Sequence, residues 1–399
     1  MAVPAKASEA PGTGLRRVGV VGAGQLARMM GEAASPLDLE LVVLAERVGE
    51  PACSLAAQVL VGTPSDQAAM RALAEACDVI TFDHELVDLD ILGQLEADGA
   101  VVRPSPSALR FACDKAAMRV ELESAGIAIP RYLVLAPGES GGERFAEEVG
   151  LPLVVKTATG GYDGRGVHIA EDGVALTSLI SELHAAGTTA LLEELVPIER
   201  ELAALVVRGA NGEVAAWPAV ETVQVDGMCQ QVEAPGELPD ALRAEAEAIA
   251  RAVAKAVGLV GVMAVELFEV GGRLIVNELA MRPHNTGHWT IEGAISSQFE
   301  NHLRAVLGLP LGSTAMAAPC VAMVNLLGPT DGSDPRDLLP EALAVEGAHV
   351  HLYGKEARPG RKLGHVTTLG TTSHETLERA WQAAIALKSE RKEPRRGAS

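Results

Sequence analysis

The chain has 399 residues, which exceeds one typical core, so two or three packed domains are expected. It carries 53 acidic against 33 basic residues, and this net charge of −20 argues against a general nucleic-acid or anionic-membrane surface, so an anionic ligand needs a local basic pocket. Five scattered cysteines without metal-type spacing favour free thiols in a reducing cytoplasm, and no apolar run is long enough to span a membrane.

The chain opens with an Ala/Pro/Gly-rich stretch, residues 1–16, which predicts a disordered tail. The next segment, residues 17–112, alternates apolar strands with helices and predicts a parallel α/β domain. Its first strand runs into the turn Gly22-Ala23-Gly24 of a G-x-G-x-x-A pattern. Alone, this turn would suggest a dinucleotide site with Glu46 on a ribose, but helix N-termini after such turns bind many anions.

A later strand of the same domain ends in three polar residues, Asp83, His84 and Glu85. Ligands of open α/β sheets gather at the carboxyl ends of strands, so these side chains would line a substrate crevice. The alternative is that the acids cap the next helix.

The second unit, residues 113–197, contains Lys156 at the end of a strand that reads as buried, and a buried lysine needs an anionic partner. A loop with four glycines within residues 160–166 follows, and its backbone N–H groups could approach a phosphate chain closely. The sequence has no G-x-x-x-x-G-K-[ST] motif, so a P-loop is excluded. A flexible surface hairpin with an incidental lysine is the alternative.

The same unit ends in a junction between an apolar strand and Pro197. Its residues, Glu193 to Val196, form a connector whose backbone could pair with an adenine edge, and the nearby Glu201 could accept ribose hydroxyls. Most strand-to-proline junctions are only connectors, and a lone glutamate is more often solvated.

The third unit, residues 198–309, contains two apolar strands joined at Gly271-Gly272, with Glu266 on the first strand and Glu278 on the second. Unpaired carboxylates in such strands are costly to desolvate. A tight two-residue turn would oppose Glu266 to Asn277, whereas a glycine bulge in a three-residue loop makes the two glutamates face each other. We expect the bulged register, because both carboxylates could then reach one Mg²⁺ ion. An edge hairpin with solvated acids is the alternative.

A polar run follows this hairpin directly, with Arg282, His284, Asn285 and His288, and it predicts an anion site next to the carboxylates. The combination of a cation site and an anion site indicates phosphoryl transfer.

The last unit, residues 310–388, has one clear strand and a terminal helix, and a basic tail over residues 389–399 follows. Between the strand and the helix, Pro359 and Gly360 force a turn that would bring Lys355, Arg361 and Lys362 together. This cluster predicts a pocket for a phosphate monoester, although exposed basic runs are usually solvated.

Taken together, these motifs resemble the ATP-grasp superfamily, and within it the N5-carboxyaminoimidazole ribonucleotide synthetases of purine biosynthesis. The resemblance covers about residues 17–368 and rests on GAGQLARM, RPSPSALRFACDK, VVKTATGGYDGRGV, EELV, GLVGVMAVELF, NELAMRPHNTGHWT and YGKEARPGRKLGH. It implies a Rossmann-like pre-ATP-grasp domain over residues 17–112, and an ATP-grasp small subdomain with a glycine flap over residues 113–197. The large subdomain with the Mg²⁺ site covers residues 198–309, and a small β-rich C-terminal domain, residues 310–388, completes the substrate site.

The resemblance also implies roles for individual residues. Those it assigns to ATP are Arg110, Lys156, Gly161, Tyr162, Asp163, Gly164, Arg165, Gly166, Val167, Glu193, Glu194, Leu195, Val196, Glu201, Gln224, Asn277 and Glu278. Those it assigns to 5-aminoimidazole ribonucleotide are Tyr162, Asp163, Arg282, His284, Lys355, Arg361 and Lys362. The implied catalytic residues are Lys156, Asp163, Arg282 and His284, and Glu266 and Glu278 would bind the metal, which we expect to be two Mg²⁺ ions.

Three segments depart from the family pattern. Met281 stands where the family usually has a proline, and Glu221 to Gln224 stand where it often has a segment like ENIH. Asp83 and His84 stand in a segment where the family tends to carry more glutamates. None of these departures removes a group that the chemistry requires.

The implied activity is that of an ATP-dependent carbon–nitrogen ligase. ATP and bicarbonate would form carboxyphosphate, which carboxylates 5-aminoimidazole ribonucleotide in de novo purine (IMP) biosynthesis. A cytoplasmic homodimer is expected, which passes its product to a separate mutase and binds neither nucleic acid nor membrane. The alternatives are a related ligase such as the formate-dependent glycinamide ribonucleotide transformylase or a biotin carboxylase, a nicotinamide oxidoreductase that uses the Gly22-Ala23-Gly24 turn, and a degenerate nucleotide-binding regulator.

Overall fold

The computed structural model describes residues 16–160, 166–225 and 227–388. The predicted tails, residues 1–16 and 389–399, lie outside the described residues except for Arg16. Arg16 Nη1 donates to the Leu307 carbonyl at 3.0 Å, so this residue belongs to the folded part of the chain and not to a tail. Within the described ranges, no helix has both the length and the apolar content needed to cross a membrane.

The N-terminal domain is the parallel α/β unit that the sequence predicts, with strand order β3-β2-β1-β4. Its elements are β1 (Arg17–Val21), α1 (Gln25–Ala34), β2 (Glu40–Ala45), β3 (Gln58–Val61), α2 (Gln67–Ala76), β4 (Val79–Phe82), α3 (Leu89–Ala97) and α4 (Pro106–Cys113). Both faces of the sheet are covered, because Val18 and Val20 pack with α1 residues while Val42 and Leu44 pack with α2 residues. This two-sided burial explains the continuous apolar strands.

A small antiparallel sheet follows, with strand order β5-β8-β6-β7. Its elements and the helix that precedes it are α5 (Lys115–Ser124), β5 (Tyr132–Leu135), α6 (Gly142–Val149), β6 (Leu153–Thr157), β7 (Val167–Ala170), α7 (Gly173–Ala185) and β8 (Ala190–Glu194). The Asp114 side chain accepts from the Ala117 N–H and caps the start of α5. Phe145, Leu153 and Leu192 belong to the core between this sheet and its helices.

The largest sheet of the described residues has the order β14-β13-β9-β11-β12-β15-β17-β16, with β10 paired to β9. Its first part contains β9 (Arg200–Arg208), β10 (Val214–Ala216), β11 (Val220–Val225), β12 (Met228–Ala234), α8 (Asp240–Ala256), β13 (Gly261–Val270), β14 (Arg273–Ala280), α9 (Thr290–Gly293) and α10 (Gln298–Val306). Its second part contains β15 (Cys320–Leu327), α11 (Leu339–Leu343), β16 (Ala348–Leu352), β17 (Lys362–Gly370) and α12 (Ser373–Ala386). Short 3-10 helices lie at Ser35–Leu37, Pro51–Ser54, Asn285–Gly287 and Pro335–Leu338.

The C-terminal strands continue the sheet of the preceding unit. β15 pairs antiparallel with β12, from Gln231 opposite Val324 to Ala234 opposite Val321. One sheet therefore spans the two predicted ranges 198–309 and 310–388, while the C-terminal helices form a separate core on it.

Helix α10 joins the large sheet to the N-terminal domain. Arg103 Nη1 donates to the Val306 carbonyl at 2.6 Å. His302 Nε2 lies 2.7 Å from Thr81 Oγ1 at the end of β4. These contacts fix the carboxyl edge of the parallel sheet next to the large sheet, where the cavity described below opens.

Candidate active site

A cavity of about 730 Å³ is lined by residues of the small and large sheets, by the segment that follows β4 and by the end of α4. The predicted site residues on its wall are Lys156, Val167, Glu193, Glu194, Leu195, Val196, Glu201, Gln224, Glu266, Asn277, Glu278, Arg282, His284 and Lys362. His84 and Glu85 also border it, as do Lys115 and Cys113, which the sequence analysis did not assign to the site. The fold thus brings together the nucleotide, metal and anion candidates of three separate chain segments.

Some predicted residues lie elsewhere. Gly161, Tyr162, Asp163, Gly164 and Arg165 fall outside the described residues. Gly166 is described, and its carbonyl accepts from the Thr157 N–H at 3.0 Å at the base of the flap segment. Arg110 is an exposed residue in the last turn of α4, and among described residues it is not part of the cavity wall.

Lys156 belongs to a buried group of charges with Glu193 and Arg119. Its Nζ lies 2.7 Å from Glu193 Oε2, and Arg119 Nε donates to Glu193 Oε1 at 2.5 Å. Burial favours the neutral acid, but Arg119 and Lys156 together hold the pKa of Glu193 below its usual value. Burial also lowers the pKa of Lys156, against the opposing effect of Glu193. The anionic partner predicted for Lys156 is thus provided in part by the protein.

The prediction that Glu193 and Glu194 lie in a connector after the strand is wrong. β8 runs to Glu194, and the backbone of Glu193 pairs with both Tyr132 and Val154. The Glu193 side chain is buried between two cations, Arg119 and Lys156. Leu195 and Val196 are the residues that leave the strand.

The register of the β13–β14 hairpin is the predicted one, because Glu266 lies opposite Glu278. The predicted cause is wrong, however. Gly271 and Gly272 have φ of 58° and 72° and form a tight two-residue turn, with Val270 paired to Arg273. The ladder shifts instead after Glu266, where Asn277 is the extra residue of a bulge. Asn277 Oδ1 accepts from Lys156 Nζ at 3.4 Å.

The electrostatics of the two glutamates differ. Glu278, whose side chain is 43% exposed, forms an ion pair with Lys115, the first residue of α5. Glu266 is half-buried, and burial, followed by the charges of Glu278 and Glu201, raises its pKa to about 7. The described residues contain no group of three or more His, Cys, Asp or Glu that could hold a metal ion by itself.

His284 lies beside Glu266, with 3.5 Å between Nε2 and Glu266 Oε1. Burial, then the charges of Arg282 and Lys362, lower the pKa of His284 well below its usual value, so the imidazole is neutral. Arg282 Nε donates to Glu85 Oε2 at 2.8 Å and links the polar run after β14 to the N-terminal domain. Glu85 is therefore a cavity residue and not a helix cap.

Asp83 has another role. Its carboxylate accepts from the Gly24 N–H at 2.5 Å and from the Ala27 N–H at 2.9 Å, at the N-terminus of α1. The donors that would hold a pyrophosphate in a dinucleotide site are thus already engaged by a side chain of the protein. Asp83 therefore caps α1. Contrary to the prediction, it is not among the described residues that line the cavity, nor does it cap the next helix, which was the alternative. The cap on α1 argues against the nicotinamide alternative.

The three predicted phosphate-binding cations occupy different surroundings. Lys362 borders the cavity. Lys355 Nζ donates to Gln25 Oε1 at 2.6 Å at the start of α1 and lies 5.5 Å from the centre of the Tyr353 ring. Arg361 Nη1 donates to the Glu356 carbonyl at 3.3 Å.

Comparison with known proteins decides the family. Three family models match: the ribonucleotide synthetase preATP-grasp domain over residues 15–113, the ATP-grasp domain over residues 120–299, and the phosphoribosylaminoimidazole carboxylase C-terminal domain over residues 321–379. The N5-carboxyaminoimidazole ribonucleotide synthase of Mycobacterium bovis is 48% identical over 381 residues, which cover 92% of this chain and 86% of that protein. The chain belongs to the N5-carboxyaminoimidazole ribonucleotide synthase family.

Other members of the N5-carboxyaminoimidazole ribonucleotide synthase family agree. The protein of Synechococcus elongatus is 42% identical over 376 residues, 94% of each chain. The crystal structure of the Aspergillus clavatus enzyme in complex with ADP and 5-aminoimidazole ribonucleotide superposes with a TM-score of 0.83 at 33% identity, and covers 94% of this chain and 98% of that one. The predicted ATP-grasp fold, with its pre-ATP-grasp and C-terminal domains, is confirmed, and so is the predicted class of ATP-dependent ligase.

Proposed function

We propose that the cavity bordered by Lys156, Glu266 and His284 carries out the family's reaction, the ATP- and bicarbonate-dependent carboxylation of 5-aminoimidazole ribonucleotide in purine biosynthesis. The observation that supports this most is the convergence of three groups on one cavity wall: a lysine for phosphates, two facing carboxylates, and the Arg282–His284 segment. Each group suits one part of the reaction, and a chain of this family needs all three in one place.

The nucleotide end of the cavity lies at the small sheet. Lys156 would contact the phosphates, with Arg110 and the flap from Gly161 to Val167 over them. Of the predicted segment Glu193 to Val196, Leu195 and Val196 would pair with the adenine edge through their backbone, because Glu193 and Glu194 are already paired within the small sheet. Glu201, which borders the same cavity, would accept the ribose hydroxyls, and Gln224 lies on the same wall.

The residues around Glu266 fit Mg²⁺. Burial and two neighbouring carboxylates raise the pKa of Glu266 to about 7. The ionised form of Glu266 therefore needs a nearby positive charge, which a divalent cation would supply. Carboxylate and amide oxygens are the ligands that Mg²⁺ prefers, and it keeps positions for phosphate oxygens and water. Glu266 and Glu278 would hold the two expected Mg²⁺ ions, and Asn277 would stand beside them.

When bound, Mg²⁺ neutralises charge on the phosphates of ATP. An oxygen of bicarbonate would attack the γ-phosphorus, and the bond to the bridging oxygen of ADP breaks, which gives carboxyphosphate and ADP. The exocyclic amine of the ribonucleotide would then attack the carboxyl carbon, phosphate leaves, and the amine loses a proton. Lys156 stabilises the charge that develops in the first step.

The Arg282–His284 segment would serve the second step. Arg282 would hold the carboxylate oxygens, and neutral His284 would accept the amine proton, a role for which Asp163 is the other candidate. Tyr162 and Asp163 would close over the ribonucleotide and exclude water, because carboxyphosphate hydrolyses readily. Lys355, Arg361 and Lys362 would bind the 5′-phosphate.

The test is ADP formation by the purified chain with Mg-ATP, bicarbonate and 5-aminoimidazole ribonucleotide. We expect ADP release to depend on bicarbonate and on the ribonucleotide. Glu278→Gln should lower it by at least about 100-fold, because one metal ligand loses its charge. Glu269→Gln is the matched control, since Glu269 lies on the same hairpin but pairs with Arg200.

Two outcomes contradict the proposal. No stimulation by the ribonucleotide would exclude this acceptor, and stimulation by formate with glycinamide ribonucleotide would favour the related transformylase. Equal losses in Glu278→Gln and Glu269→Gln would remove the metal role of the facing pair.

The wider biological setting also belongs to this proposal. A homodimer, transfer of the product to a separate mutase, and a cytoplasmic location rest on the resemblance to the family and on the scattered free cysteines.

A further inference from the structure

Gln298, the first residue of α10, holds the backbone of His284 from both sides. It has no exposed surface. Its Oε1 accepts from the His284 N–H at 2.8 Å, and its Nε2 donates to the His284 carbonyl at 2.7 Å. A buried side chain thus replaces the strand partner that His284 lacks after the end of β14.

The orientation of this amide is decided by its partners. The His284 N–H can only donate and the His284 carbonyl can only accept, so the two ends of the amide cannot be exchanged. The same Nε2 lies 3.2 Å from His288 Nδ1, which must therefore be the acceptor, and the proton of neutral His288 is on Nε2. One amide thus orders both histidines of the segment.

The chain from Gly287 to Thr290 also packs closely around the Gln298 amide. The Gln298 N–H donates to Thr290 Oγ1 at 2.9 Å, and that hydroxyl donates to the Gly287 carbonyl at 2.6 Å. A Cβ atom at Gly287 would lie 2.3 Å from Gln298 Oε1, so a residue larger than glycine would displace the amide. The position of the Gln298 amide therefore requires a glycine at residue 287.

We propose that Gln298 is a positioning residue for the ribonucleotide half-reaction: it fixes the backbone of His284 so that the imidazole faces Glu266 in the cavity. Thr286 Oγ1, 2.9 Å from His284 Nδ1, orients the ring, and Gln298 orients the chain that carries it. This inference rests on the proposed role of His284 with the ribonucleotide. Among the hydrogen bonds of the described residues, none joins this amide to Lys156 or Leu195 on the nucleotide side.

The experiment measures kcat and KM for ATP and for the ribonucleotide in Gln298→Glu. This change keeps the size of the side chain but removes the N–H donors to His284 and His288. We expect kcat/KM for the ribonucleotide to fall by about 10- to 100-fold, because small displacements of a reacting group have effects of this size. KM for ATP should stay within about 2-fold, since the nucleotide side is untouched.

Asn301→Asp is the matched control. Asn301 lies one turn further along α10, is equally buried, and holds both backbone groups of Gly312 in the same way, at 2.7 Å and 3.2 Å. It should lose similar thermal stability but keep its kcat/KM for the ribonucleotide. Gly287→Ala leaves the chemistry of Gln298 intact and should reproduce the selective loss by displacing the amide.

The outcomes separate this inference from the proposed function. If the wild type shows no ADP release stimulated by the ribonucleotide, the proposed function fails and the inference with it. A second outcome is that the wild type is active and that thermal unfolding shows Gln298→Glu and Gly287→Ala to be folded. If both variants then keep the wild-type kcat/KM for the ribonucleotide, only the positioning role is overturned. Equal losses for ATP and the ribonucleotide, or an equal loss in Asn301→Asp, also overturn it.

Discussion

His302 connects three elements through one neutral ring. It is fully buried, accepts from the Val262 N–H at Nδ1 and therefore donates from Nε2 to Thr81 Oγ1. Burial lowers its pKa to about 3 in the folded protein. A histidine that stays neutral when buried but protonates freely when unfolded makes stability depend on pH.

The direction follows from the lowered pKa. The unfolded chain binds a proton below about pH 6.5 and the folded chain does not, so this stabilisation is complete above pH 6.5 and is lost as pH falls towards 3. Between pH 7 and pH 5 we expect His302 to account for a loss of about 2 kcal/mol in the free energy of unfolding. Denaturant unfolding of the wild type and of His302→Gln at both pH values measures the difference.

His349→Gln is the control, because His349 is an exposed histidine on β16. It should keep the wild-type pH dependence, although the other buried histidines contribute to that dependence in all three proteins. An identical loss between pH 7 and pH 5 in the wild type and His302→Gln would contradict the argument.

Single residues also show where a sequence is insufficient. The need of Lys156 for an anion follows from burial alone, but its partner Glu193 lies on another strand and is held by Arg119, which is 74 residues away from it along the chain. A buried arginine inside a helix has no local signal that distinguishes it from a solvated one. The sequence assigns Glu193 only to the nucleotide, and the structure adds that its side chain is the counterion of Arg119 and Lys156.

The β13–β14 hairpin is likewise predicted only in part from the sequence. The expectation that both carboxylates reach one Mg²⁺ ion predicts that the glutamates face each other, and they do. The position of the bulge is not predictable from the turn, because Gly271 and Gly272 both suit a tight turn. A bulge at Asn277 depends on what the strand packs against, as the Val276 N–H donates to the Ala128 carbonyl outside the sheet.

Elements with a single uniform pattern are predicted well, and mixed ones are missed. β15 is apolar except for Asn325, and it is the one clear strand predicted within residues 310–388. The bounds of β16 and β17 are not predicted, because β17 contains polar residues that are fully buried, among them His365, Thr367 and Thr368. Their burial comes from neighbouring strands and from the ring of Tyr353, whose hydroxyl lies 2.8 Å from His365 Nδ1.

Deletion of Asn277 tests the bulge itself. A regular hairpin with the same turn would keep Glu266 opposite Glu278, so the fold should survive with a modest loss of thermal stability. The bulge increases twist and re-aims side chains, so its loss should lower ADP formation by about 10-fold more than Asn277→Ala, which removes the same amide but keeps the bulge. Equal activities in the two variants would show that only the amide matters.

At the scale of the whole molecule, the large sheet makes the C-terminal region inseparable from the ATP-grasp core. β12 has β11 on one side and β15 on the other. Side chains reinforce the second junction: Asn325 Nδ2 donates to the Cys229 carbonyl at 2.8 Å, and Trp381 Nε1 donates to Gln231 Oε1 at 2.9 Å. Loss of the C-terminal strands would turn β12 into an exposed edge.

We therefore expect the amides of β12 and β15 to exchange hydrogen through one common opening. Native-state hydrogen exchange should give them opening free energies that agree within about 1 kcal/mol and match those of β9, because strands of one cooperative unit open together. The small sheet is the internal comparison, since β5 to β8 have a hydrophobic core of their own and should open at lower free energy. ATP should raise protection in the small sheet more than in β15, as the proposed nucleotide contacts lie there. If β15 to β17 opened at least about 2 kcal/mol more easily than β9, the C-terminal region would be an independent domain that only rests on the sheet.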